Sequence, residues 1–126
     1  MGSGEVSIQA TIGSMNSGTW TYGVATNGAE AKVSIFNHHD QTTTTSNVAR
    51  TQLEPLLKLL TEKKWSELSS VSTKTYDPIH RDVTISWGSV TRQFSANGGC
   101  ACLQPCTCPQ VEISEAIAHF AQGKPL

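Results

Sequence analysis

The chain has 126 residues, a formal net charge of -1, 15% charged and 37% hydrophobic residues. That is the size of one domain, 1–126, whose core needs neither metal nor disulfide to make up for small size. The near-neutral balance removes any electrostatic argument for nucleic acid or an anionic membrane as partner, and no apolar run approaches the ~20 residues of a membrane span.

Residues 1–4 (Met1-Gly2-Ser3-Gly4) carry no basic or apolar signal region and read as a flexible or added start. Without an export signal in view, a cytoplasmic setting is the default expectation; disulfide-bonded cysteines would make it extracellular. Val6, Ile8, Ala10 and Ile12 alternate with Ser7, Gln9 and Thr11, the pattern of a strand with one buried face. A turn-rich loop, 13–18, leads to a second alternation at Trp20, Tyr22 and Val24 and a third at Ala29, Ala31, Val33 and Ile35. Asn27-Gly28 between them predicts a hairpin with a type I′ turn. His38-His39-Asp40 and the threonines 42–45 read as a polar connector.

Leu53, Leu56, Leu57 and Leu60 fall at helical spacing. Thr51-Gln52-Leu53-Glu54 matches a capping box, with a start at Pro55 as the alternative, and the helix is expected to end near Lys64. Residues 65–74 read as a loop or a ragged extra turn. Val83, Ile85 and Trp87 predict a strand over 82–87. Gly88-Ser89 suits a two-residue II′ turn, and Val90, Arg92 and Phe94 return on one side. Arg92 in that set argues for an edge or rim position. After the cysteines, Val111 and Ile113 suggest a short extended piece. Ser114 then caps a helix carrying Ile117, Phe120 and Ala121, with Gly123 as its stop. His119 near that stop reads as structural or exposed. Trp20, Tyr22 and Trp87 read as core. The expected fold is α+β: a single antiparallel sheet of about five strands, two helices on one face, and a Cys-rich loop before the C-terminal helix.

All four cysteines lie in that loop, as Cys100-x-Cys102, a three-residue spacer, and Cys106-x-Cys108. In extended arms, residues i and i+2 share a side. Were 103–105 the tip of a hairpin, Cys102 would face Cys106 and Cys100 would face Cys108. Reduced, such sulfurs form a cage for Zn²⁺ or Cu(I), and less readily for an iron–sulfur cluster, whose ligand spacings differ. Oxidised, they close as two disulfides. Redox cycling ranks third, because no Lys, Arg or His lies in the loop to lower a thiol pKa. The Cys-x-Cys spacing resembles that of metallothioneins and some copper-handling proteins, which implies closely spaced thiolates on Cu(I) or on several shared ions.

A second candidate site is histidine-based. If the two loops meet at one end of the sheet, His38 or His39 with His80 would bind a metal or do acid–base work. No phosphate loop, nucleophile elbow or dinucleotide fingerprint occurs. The order of sheet, helix, hairpin and final helix is similar to that of small protein inhibitors of thermolysin-type proteases, which implies a binding module rather than an enzyme. The leading expectation is therefore a non-catalytic domain holding Zn or Cu(I) through Cys100, Cys102, Cys106 and Cys108, for metal handling or to shape a surface for a protein partner. The alternative is a disulfide-stapled protein-interaction or assembly module, an inhibitor included.

Overall fold

A computed structural model describes residues 5–14, 18–72, 79–97 and 108–124. The strands are β1 (Val6–Ser14), β2 (Gly18–Asn27), β3 (Glu30–Asn37), β4 (Thr42–Ala49), β5 (Val71–Ser72), β6 (His80–Trp87) and β7 (Val90–Asn97). The helices are α1 (Glu54–Glu62) and α2 (Pro109–Ala121), with 3-10 turns at Arg50–Leu53 and Trp65–Glu67. One sheet runs in the order β4-β3-β2-β1-β6-β7-β5. The fold is mixed α+β, with six antiparallel strands where about five were expected; β5 adds two residues in parallel to β7. The cysteine loop falls at 98–107, outside the described residues, except for Cys108.

The alternation of β1 explains its central place. Val6, Ile8 and Ala10 are buried while Ser7 and Gln9 are exposed. Ile8 lies opposite Val24 on one side and Ile85 on the other; Ala10 lies opposite Tyr22 and Val83. The helices supply the second layer with Leu53, Leu56, Leu60, Ile113 and Ile117, all fully buried. Each such side chain contributes about 1.5–3 kcal/mol on burial, so these few account for much of what orders the chain. The opposite face of the sheet carries Ser7, Gln9, Thr11, Thr21, Ser34 and Thr84 and meets solvent, as antiparallel sheets permit.

Several expectations are corrected. The threonine connector is the strand β4. All its side chains but the half-buried Val48 are exposed, so no apolar alternation marked it, although threonine itself favours extended backbone. The first hairpin turns at Gly28-Ala29, with Asn27 opposite Glu30 and only Gly28 at positive φ (+67°), which is the II′ pattern rather than I′. The second hairpin turns at Gly88-Ser89 as expected, with Gly88 at φ +65°. The capping box does not form: α1 follows directly on a 3-10 turn, its N-cap Leu53 makes no side-chain cap bond, and Pro55 sits in the first turn. It ends two residues early, because Lys64 adopts the left-handed conformation (φ 55°). Strand β6 begins at His80, two residues before the expected start.

The C-terminal helix begins at Pro109, where a missing N–H costs nothing, and not at Ser114. No extended piece occurs at Val111–Ile113. Ser114 is fully buried inside the helix, and its hydroxyl donates to the Val111 carbonyl at 2.8 Å. The stop at Gly123 is as expected: φ is +77°, and the Lys124 N–H donates to the His119 carbonyl at 2.8 Å.

Candidate functional site

The cysteine segment leaves the end of β7 and re-enters at the N-terminus of α2. Cys108 is the N-cap residue, in extended conformation (φ -141°, ψ 157°), and its carbonyl accepts the Glu112 N–H at 3.0 Å. Two residues further on, Gln110 is buried and its Nε2 donates to the Ser69 carbonyl at 2.8 Å. The start of α2 is thereby tied to the segment that flanks β7. The Cys108 sulfur is disulfide-bonded, and there is no free cysteine among the described residues. Its partner sulfur, like Cys100, Cys102 and Cys106 generally, lies outside the described residues. Of the four expected ligands the structure therefore places one.

His38 and His80 lie at the same end of the sheet and on its open face. The His38 N–H donates to the Thr19 carbonyl at 3.0 Å, Thr19 lies opposite Gly13, and Gly13 lies opposite His80. Three strand spacings separate the two histidines, about 14 Å at ~4.8 Å each. Each ring is also engaged locally. His38 Nε2 lies 2.7 Å from Thr21 Oγ1, with Thr11 Oγ1 a further 2.9 Å beyond that hydroxyl, and its ring meets Phe36 edge-on at 4.7 Å. His80 donates through Nδ1 to Asn97 Oδ1 at 3.1 Å, away from His38. His39 is exposed on the turn, where its N–H donates to Asn37 Oδ1. No group of three or more His, Cys, Asp or Glu side chains suited to a metal occurs among the described residues.

Two glycines open depressions in the hydroxyl-covered face. One, of about 390 Å³, lies over Gly23 between Gln9, Thr21, Ser34 and Thr45. The other, about 360 Å³, lies over Gly13 between Thr11, Thr19, His80 and Asp82. Both are shallow and open to solvent, and their hydroxyl, amide and imidazole groups interrupt a lining that is mostly apolar.

Trp65, Trp87 and Tyr22 serve the helix-covered side. Trp65 is buried and stacks on half-buried Trp87 at 6.1 Å, and the hydroxyl of buried Tyr22 accepts from Gln122 Nε2 at 3.1 Å. Arg92 is half-buried on this side, on the strand next to the two-residue β5, and its Nε donates to the Leu68 carbonyl at 2.6 Å. Sequence reasoning missed two features. One is Arg81, nine-tenths buried on the helix-covered face and paired with Glu115 at 2.9 Å. The other is β4 as the sheet's edge. A run of four β-branched residues was the available signal for β4; Arg81 gave none, because one arginine between polar residues looks solvated.

No helix among the described residues is long and apolar enough to cross a membrane. No protein-family model matches the chain, and no curated protein matches it in sequence.

Proposed function

We propose that the chain is a non-catalytic protein-interaction or assembly module whose cysteine loop, Cys100 to Cys108, is closed by disulfides. The observation that carries this reading is the oxidised Cys108 sulfur at the N-cap of α2. A thiophilic ion binds thiolates, so a sulfur already in a disulfide is lost to a four-thiolate cage. Oxidation also fits an extracellular or otherwise oxidising setting better than a reducing one. In that setting the loop is a clamp rather than a reactive centre. It joins the end of β7 to the start of α2. The contact surface of such a module is then sought in the sheet edges, where backbone groups recognise another strand.

Thiol titration of the native protein, with and without a reductant and in parallel with elemental analysis, tests this. The expected result is no titratable thiol before reduction, four afterwards, and neither zinc nor copper in stoichiometric amount. Four thiols titrating without reductant, or one ion per chain bound by them, overturns the reading and restores the metal site.

A further inference from the structure

Gly23 has no conformational reason to be glycine. It sits in the middle of β2, pairs without a bulge with Gln9 on β1 and Ser34 on β3, and its φ is not positive. At Gly13 a packing reason is plain, since a Cβ would press on the Thr19 backbone; at Gly23 it would press only on the Ser34 hydroxyl, which is free to rotate. Glycine inside a strand weakens it, and marks a bulge, a bend or a place where a ligand or another backbone comes close. The unbroken register and the open face leave the ligand. Ala25 follows on the same face, opposite Ser7 and Lys32. Gly23 and Ala25 thus floor a trough, with Ser7 and Gln9 as one wall and Lys32 and Ser34 as the other, about 10 Å apart at two strand spacings of ~4.8 Å. This is the depression of about 390 Å³, and Thr45, opposite Ser34, extends its β3 wall.

The polar groups of this trough differ from those on the rest of the open face. Elsewhere hydroxyls satisfy one another: Thr11 with Thr21 at 2.9 Å, Ser86 with Thr91 at 3.0 Å, and Ser95 with Ser70 at 3.2 Å. The side chains of Ser7, Gln9, Lys32, Ser34 and Thr45 line the trough without a hydrogen bond or ion pair to any described residue.

We propose that the trough binds a sugar, an acidic pyranose residue at the end of a glycan. This goes beyond the interaction-module reading and does not depend on the state of the cysteines. The floor and much of the lining are apolar, while donors and acceptors stand around the rim. A pyranose has the matching make-up, with C–H groups on its faces and hydroxyls round its edge. An inorganic anion would leave the floor without contact, and an apolar ring would desolvate the rim without partners for it. Serine, threonine and glutamine side chains both donate and accept, as sugar hydroxyls do. Lys32 is the one charged group in the lining, so it selects an anionic substituent, a carboxylate or a sulfate. The volume lies at the small end of ligand sites, which suits one ring. A site for a free monosaccharide would enclose it; this trough is open, covers one face of the ring and leaves a chain room to continue.

NMR titration of the isotope-labelled chain, read at backbone amides, tests the proposal. The probes are oligosaccharides ending in glucuronic acid, in sialic acid and in sulfated galactose, each with its uncharged counterpart. At least one acidic probe is expected to shift the amides of Gly23 and Ser34 saturably and to bind more tightly than its counterpart. Gly23→Ala fills the floor and weakens that binding by about tenfold or more, while its melt stays close to the parent's. Lys32→Ala costs the acidic probe about two- to fivefold and leaves its counterpart unchanged. Thr84→Ala, on the same face but outside the trough, changes neither. Four results overturn the proposal: no saturable shift with any probe, shifts centred elsewhere on the face, equal affinity for acidic and uncharged probes, or parental affinity in Gly23→Ala. None of these bears on the disulfide clamp, which thiol titration decides separately, and free thiols leave the sugar titration to be read on its own terms.

Discussion

Replacing Glu115 with alanine exposes how the helix-covered face tolerates a charge. Arg81 sits on that face of β6, opposite Ile12 on β1 and Ala96 on β7, and is only 9% exposed. Its Nη2 reaches Glu115 Oε2 at 2.9 Å, whereas its buried Nε has no hydrogen-bond partner. Removing one partner of a fully buried pair costs about 3–5 kcal/mol, because the remaining charge is stranded. The Glu115 side chain is 45% exposed, and water there screens the pair. The expected cost of Glu115→Ala is therefore about 1–2 kcal/mol, a fall in Tm of about 3–8 °C for a chain of this size. Arg81→Met behaves differently. It removes the charge together with the unbonded Nε and leaves a flexible apolar side chain beside Ile12 and Ala96, so stability stays within about 1 kcal/mol of the parent or rises. The double variant follows Arg81→Met, since the loss of Glu115 matters only while Arg81 is charged. Urea titrations read by tryptophan fluorescence give all three values. A Glu115→Ala protein as stable as the parent, or an Arg81→Met protein weaker by more than about 2 kcal/mol, refutes the reasoning.

The two glycines beneath the open-face depressions respond unequally to alanine. At Gly13 a Cβ comes within 2.9 Å of the Thr19 Cα, so backbone has to move and we expect a loss of about 1–3 kcal/mol in a thermal or urea melt. At Gly23 the obstacle is the Ser34 hydroxyl at 2.8 Å, which rotates away, so Gly23→Ala costs under about 1 kcal/mol in the same melt. Lys64 holds φ 55° at the end of α1; Lys64→Gly relieves that conformation and raises stability by about 0.5–1 kcal/mol after glycine's own entropy cost, as a denaturant midpoint will show. Reduction of the native protein opens a short covalent loop and lowers stability by about 2–3 kcal/mol, measured by calorimetry with and without reductant.

Periodicity made much of this fold legible, and its failures have physical causes. Val6, Ile8 and Ala10 announce a one-faced strand because one face is in fact buried. β4 buries only Val48, and that in part, so the same test returns nothing, and only the β-branching of its threonines pointed to extended backbone. The start of α2 was misplaced because Ser114 has the chemistry of a cap; inside the helix the same hydroxyl satisfies itself on the Val111 carbonyl, and Pro109 does the starting. Adjacent loops suggested a shared histidine site. Pairing shows why proximity along one end of a sheet is not contact: Thr19 and Gly13 stand between His38 and His80, and each ring turns to a different neighbour. The paired cysteine spacing was visible at once, but spacing alone does not distinguish thiolate from disulfide, because both need the sulfurs close together. The oxidised Cys108 favours the second.

The chain has no Lys or Arg between Arg92 and Lys124, and Lys124 precedes proline, so trypsin releases 93–126 with all four cysteines in one fragment. Alkylating the unreduced, unfolded protein before digestion and weighing that fragment tests the central claim most directly. The account predicts a fragment carrying no alkyl group, and four once reductant precedes alkylation. A fragment alkylated at Cys108 without reduction contradicts it.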